Sequence, residues 1–228
     1  LFIKRGTYTV DKQITTSGKF NILSDFATID VSTLDGCAFV VGNESSVTVD
    51  YFITISKFNF QGSLTNQNAG GFHIVNRPWQ VCIDNCNFQS VAYPVKVEGP
   101  CYGFAMRDCL IDDAIYGVYA YTGVGRTGSN FSKICNNSFD DCQIGLYLNN
   151  IGYGSIISGN YFEGCTTCAI DVNVGSARST IANNFISVPA SASGVHLSAY
   201  YTAVSGNIIS LVDSAVAGIL IDGANSSG

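Results

Sequence analysis

Three carboxylates, Asp112, Asp140 and Glu163, stand 28 and 23 residues apart, and each directly follows a large apolar residue (Ile111, Phe139, Phe162). A second set recurs at similar intervals: His73, Lys96, Tyr119, Tyr147, Asp171 and His196, each between two apolar residues. Carboxylates held at fixed spacing are what glycoside hydrolysis requires. One must be protonated and one ionised, about 5–5.5 Å apart for retention of configuration and roughly 6.5–9.5 Å for inversion. Tyrosine rings suit the C–H faces of sugars, and their hydroxyls can bond to ring substituents. The chemistry suggested by these residue types is therefore carbohydrate chemistry, provided that the fold brings the sets into rows.

The elements that would do so are visible as a repeat. A short pattern, apolar-x-(Asn or Cys)-x-(Phe or Ile), closes on Phe60, Phe88, Ile111, Phe139, Phe162, Ile186 and Ile209, which are 28, 23, 28, 23, 24 and 23 residues apart. A period near 24 residues without a helical apolar stripe predicts coils of three short strands stacked as an all-β solenoid. A second stripe runs Phe72-His73-Ile74, Val95-Lys96-Val97, Val118-Tyr119-Ala120, Leu146-Tyr147-Leu148, Ile170-Asp171-Val172, Val195-His196-Leu197 and Ile219-Leu220-Ile221. This in-out-in alternation marks strands with one buried face. Stacking at about 4.8 Å then makes a ladder of Asn137, Asn160, Asn184 and Asn207 at one turn. Cys86 and Cys109 take the same rung, and Cys142 stacks on Cys165. At that turn the Asn residues are expected to take the left-handed conformation.

Composition bounds the partners. The 228 residues carry 11 basic and 17 acidic groups, a net charge of −6, which disfavours a nucleic-acid backbone as ligand. No run of 18 apolar residues predicts a membrane span. The nine Cys include one lone C-x-x-C, Cys165 and Cys168, with no second pair or nearby His to complete a zinc site. Their positions fit reduced, buried thiols and hence folding in a reducing compartment. No metal or cofactor is expected.

Outward residues must carry any function. On the alternating strand these are His73, Lys96, Tyr119, Tyr147, Asp171 and His196, with Glu98 and Tyr121 in the next row. The tyrosines either hold sugar rings or pack against another subunit. The segment Thr122 to Asn130, with Gly123, Gly125 and Gly128, either walls a groove and places Arg126 over an acidic sugar or is a plain surface loop. Asp112, Asp140 and Glu163, with Asp171 from the neighbouring strand of the same coil as Glu163, are the candidate catalytic carboxylates. Asp171 and Glu163 need not share a cleft. The alternative for the acidic row is a solvated edge or a weak cation site. Lyase chemistry would need a Lys, Tyr or His base beside positive charge; the scarcity of basic residues favours hydrolysis.

Leu1-Phe2-Ile3-Lys4-Arg5-Gly6-Thr7-Tyr8-Thr9-Val10 resembles the opening strand of pectate-lyase-like β-helix proteins, especially phage tailspikes, with Arg5 where those proteins often have Pro-Ala. The Asn-ladder coils extend the resemblance over residues 49 to 221. It implies a right-handed single-stranded parallel β-helix occupying residues 1–228 as one domain, a piece of a longer chain lacking terminal regions at both ends. It further implies a homotrimer in a virion tail, folded in host cytoplasm, that binds and cleaves bacterial surface polysaccharide. Neighbouring enzyme signatures are missing: no Gly-His-Gly or Arg-x-Lys, no Asp-Pro-His-Asp, no Arg-x-x-Pro-x-x-Arg. A polysaccharide lyase or epimerase on the same fold, or a non-catalytic adhesin or shaft, are the other functions open to such a chain.

Overall fold

The computed structural model describes residues 1–16, 21–42, 53–75, 80–99, 101–122, 132–149, 154–173, 175–176, 178–199 and 201–222. They form a right-handed parallel β-helix of about eight coils, with strands, turns and no helix among the described residues. In the regular coils each turn of the solenoid contributes one strand to each of three faces. The first face holds Val81–Asp84, Phe104–Arg107, Lys133–Cys135, Ile156–Ser158, Thr180–Ala182 and Ala203–Ser205. The second holds Asn87–Gln89, Leu110–Asp112, Ser138–Asp140, Tyr161–Glu163, Phe185–Val188 and Ile208–Leu211. The third runs through Gly70–Val75, Tyr93–Glu98, Tyr116–Tyr121, Ile144–Asn149, Cys168–Val172, Ser193–Leu197 and Ala217–Ile221, and continues below through Cys37–Gly42 and Ile14–Thr16. The early strands Asn21–Asp30 and Ile53–Gln61 each pass from the first face to the second without a break, which joins those two faces into one 16-stranded sheet.

Strict parallel register makes every inward position a column. Ile55, Ile83, Met106, Ile134, Ile157 and Ile181 stack beneath the first face, fully or almost fully buried. Beneath the second face, Phe60 stacks on Phe88 at 5.0 Å and Phe139 on Phe162 at 4.8 Å, both pairs nearly parallel. The core is thus a set of like-on-like columns, favourable because each ring covers the next and no water reaches either. On the third face Gly117 and Gly145 leave room for those rings: a Cβ on Gly117 would come within 2.6 Å of Phe139, and one on Gly145 within 2.8 Å of Phe162.

The polar ladder forms as expected, with one correction. The amide Oδ1 of Asn160 accepts from both the backbone N–H and the side-chain N–H of Asn137, at 3.0 Å each, and Asn184 and Asn207 repeat the arrangement. Each side-chain NH₂ also reaches a carbonyl one coil below, as from Asn160 to Ile134 at 2.9 Å. Buried amides are tolerated because their bonds are made. The left-handed residue, however, is the one before the ladder position: Asn85, Asp108, Asn136, Gly159, Asn183 and Gly206 have φ between 53° and 67°. The ladder residue itself must keep its side chain inward along the stack, so the neighbour takes the turn. Cys86 and Cys109 occupy the lower rungs, and the Cys86 N–H donates to the Cys109 sulfur at 3.5 Å. All nine cysteines are free thiols, seven of them buried.

Candidate functional site

Two arrangements of chemically capable residues emerge, on different faces. The third face carries the outward row Val40, His73, Lys96, Tyr119, Tyr147, Asp171, His196 and Leu220, paired rung to rung in the register read from the sequence. Two further tyrosines that the sequence reading passed over, Tyr93 and Tyr116, join it from the strand beginnings. Tyr93 stacks on Tyr116 at 5.7 Å, Tyr119 on Tyr147 at 5.1 Å, and Tyr116 lies 4.8 Å from Tyr119. The signal was present, since Tyr93 and Tyr116 sit three residues before Lys96 and Tyr119. Both precede the alternating segment of their strands, where the in-out-in pattern does not extend.

This aromatic strip forms one side of a groove of about 920 Å³. Its other walls come from the lower coils: Gln13, Thr15, Asp35, Cys37 and Asn68, with the Asn68 amide donating to Asp35 at 2.9 Å. Those coils precede the regular period, so nothing in the repeat pointed to them. Two lining residues share the Glu98 carboxylate, whose Oε2 lies 3.0 Å from His73 Nε2 and 3.6 Å from Lys96 Nζ, while Lys96 stands 5.6 Å from the centre of the Tyr121 ring. Burial alone would raise the Glu98 carboxyl. The Tyr121 hydroxyl, Lys96 and His73 outweigh it and hold the group below its ordinary value. Burial, then the hydrogen bond to Glu98, pushes Tyr121 well up; burial and the neighbouring tyrosines raise Tyr119. These phenols stay protonated, so they serve as hydrogen-bond donors and ring surfaces rather than as bases.

The second arrangement is the acidic row of the second face. Asp112 pairs with Asp140, and Asp140 with Glu163, in adjacent rungs. With Leu110 and Asp141 they line a hollow of about 350 Å³. Burial, then the negative charges of Glu163 and Asp112, raises the Asp140 carboxyl above the ordinary aspartate value. Its Oδ1 is buried without a hydrogen-bond partner, and Ser138 reaches only Oδ2, at 3.5 Å. Asp140 is therefore held closer to its protonated form than an ordinary aspartate.

The candidate residues thus divide. Asp112, Asp140 and Glu163 come together. Asp171 belongs elsewhere: it lies on the third face, where its carboxylate Oδ1 is 2.8 Å from His196 Nδ1, and Asp222 Oδ2 is 2.8 Å from His196 Nε2. The alternation that makes Asp171 outward puts it on a different sheet from Glu163, across the Gly164–Cys165 corner of the same coil. His73, Lys96, Tyr119 and Tyr121 line the groove, Tyr147 extends its aromatic strip, and His196 sits two rungs beyond Tyr147. Arg126 lies outside the described residues. Among the described residues no group of three or more His, Cys, Asp or Glu is placed to hold a metal ion.

Fold and site together define a single-chain parallel β-helix with an aromatic groove on one face and a carboxylate row on the next. The chain belongs to the right-handed β-helix family, whose model, described as "Right handed beta helix region", matches residues 70–227. Among solved structures it is similar to DFA-IIIase from Arthrobacter chlorophenolicus A6 in complex with GF2, at 13% identity and TM-score 0.64, over 91% of this chain and 68% of that one. The same enzyme in complex with DFA-III superposes with TM-score 0.61 at 12% identity, over 92% and 66%. Endopolygalacturonase I from Stereum purpureum, complexed with two galacturonate, gives TM-score 0.47 at 11% identity, over 97% and 94%. At these identities the likeness is one of fold. No curated protein matches the chain.

Proposed function

We propose that this chain is the β-helix of a phage tailspike-type protein that binds a bacterial surface polysaccharide, as capsule or O-antigen, and hydrolyses it. The observation that carries the binding is the groove of about 920 Å³ lined by Tyr93, Tyr116, Tyr119 and Tyr121. Stacked phenol rings beside a Lys, a His and a carboxylate offer both a flat apolar surface and hydrogen-bonding groups, the combination that sugar rings need. The DFA-IIIase structures, solved with GF2 and with DFA-III, support a carbohydrate ligand for this fold.

Hydrolysis is assigned to the second face, a different sheet from the groove, so the two would take separate stretches of the polymer. Asp140 would protonate the leaving oxygen, and Asp112 or Glu163, one rung to either side, would act as the ionised partner. The resemblance to tailspikes adds a homotrimer in a virion tail, acting at the host surface. A lyase on the same groove is favoured by Lys96 and His73 standing together at Glu98, and disfavoured by the raised Tyr119 and Tyr121, which are poor bases. Affinity for a polysaccharide that the chain retains should drop roughly fivefold in Tyr147→Ala, about 1 kcal/mol of lost ring contact. Unchanged affinity would make the tyrosine strip a protein interface instead.

A further inference from the structure

The second face has more than carboxylates. Two outward rows run along it. One passes through Asn59, Asn87, Leu110, Ser138, Tyr161, Phe185 and Ile208, and the other through Gln61, Gln89, Asp112, Asp140 and Glu163. Below the acids, Asn59, Gln61, Asn87 and Gln89 line a hollow of about 390 Å³ that shares Leu110 and Asp112 with the acidic one. The two hollows therefore adjoin at Leu110 and Asp112, in line along the face. Above the acids, Tyr161 stacks on Phe185 with ring centres 5.1 Å apart and planes 6° from parallel. Both rings are more than a third exposed, at 39% and 36%. The Tyr161 hydroxyl donates to Glu163 Oε2 at 2.6 Å, which ties the aromatic end to the carboxylate row.

We infer that the second face selects an uncharged glycan lying along the solenoid axis, with Tyr161 and Phe185 as its stacking platform and the amides of Asn59, Gln61, Asn87 and Gln89 as its hydrogen-bonding track. This inference rests on reading Asp112, Asp140 and Glu163 as the reaction centre. Three arguments carry it. Parallel register repeats the same side-chain position every ~4.8 Å, so a face built of rungs matches a polymer running along the axis rather than across it. Amides donate and accept at once, as sugar hydroxyls do, and flat rings cover the C–H face of a pyranose. The acidic row contains no Lys or Arg, so uronate or sialate units placed there would meet like charge that no member of the row neutralises. The platform and the track lie on opposite sides of Asp140, where subsites on both sides of a scissile bond must lie. Through its bond to Glu163, Tyr161 is also a positioning residue for that carboxylate.

The test uses the full chain carrying Asp140→Asn, so that ligand is not consumed. Its affinity is measured for neutral O-antigen polysaccharides and for uronate-bearing capsular polysaccharides at fixed ionic strength. Neutral polymers should be retained, and adding Tyr161→Ala with Phe185→Ala should weaken them roughly tenfold. Tyr161→Phe, which keeps the ring, should stay within about twofold of its parent, and thermal melting shows that each variant is folded. Retention of uronate-bearing polymers alone, affinity unchanged by loss of both rings, or retention of no polymer of either kind would each overturn the inference. Reducing ends released by the unmodified chain report on the reaction separately. Ring-dependent binding without reducing ends removes the hydrolytic reading and keeps the platform; reducing ends with ring-independent binding do the reverse.

Discussion

Replacing Asp140 by Asn should raise stability while removing hydrolysis, and the two effects have one cause. Asp140 stands one rung from Asp112 and one from Glu163. Two full charges about 4.8 Å apart in a water-like dielectric repel by about 0.9 kcal/mol. Asp140 has two such neighbours, and partial protonation with salt screening brings the sum to about 1 kcal/mol. The amide keeps the shape, removes the repulsion and offers N–H donors to the flanking carboxylates. A gain of that size corresponds to a rise in Tm of about 2–4 °C for a chain of this length. The same change deletes the proton donor, whose removal costs roughly 10²–10⁴ in rate. Calorimetry together with a reducing-end assay on a cleaved polysaccharide reads both. A variant that melts lower and still cleaves at the parental rate would refute the reasoning, since neither repulsion nor proton donation would then reside at Asp140.

Two further outcomes follow from the packing and the charges. Asn160→Ala removes the acceptor of the Asn137 N–H groups and the donor to Ile134; leaving these buried groups unpaired should cost about 2–4 kcal/mol in urea or thermal unfolding, and a cost below ~0.5 kcal/mol would show that the ladder is dispensable. Burial opposes charge on His196, but Asp222 and Asp171 outweigh it and hold the imidazolium above its ordinary value of 6.5. That stabilisation is complete below the unfolded-state pKa and is lost as pH rises through the higher folded-state value. Melting temperature should therefore decline as pH rises above the ordinary imidazole value of 6.5 in the parent, and His196→Gln should flatten that decline; identical profiles would contradict the pairing.

The coils were legible because the chain repeats its chemistry: columns of Ile and Phe, the Asn rungs and the in-out-in strands fix the register that the structure shows. The same alternation correctly grouped Asp112, Asp140 and Glu163, and likewise the row from His73 to His196. Sequence could not place one face against another. It put Asp171 in the same coil as Glu163 and left open whether the two share a cleft; the corner between them turns the chain onto a different sheet. Nor did it find Tyr93, Tyr116, Gln13 or Asp35, the first two because they lie at strand starts and the others because the lower coils depart from the period. The exposed rings of Tyr161 and Phe185 were hidden by their adjacency to the inward residues Phe162 and Ile186, which dominated the apolar signal.

Hydrolysis of a bacterial surface polysaccharide by carboxylates on the second face is the central claim, and product chemistry tests it most directly. Purified polysaccharides incubated with the chain would be followed for reducing ends and for the ultraviolet absorbance of an unsaturated uronate. Reducing ends without absorbance, lost in Asp140→Asn, is the result expected. Absorbance growing with cleavage, or cleavage that persists in Asp140→Asn, would contradict it.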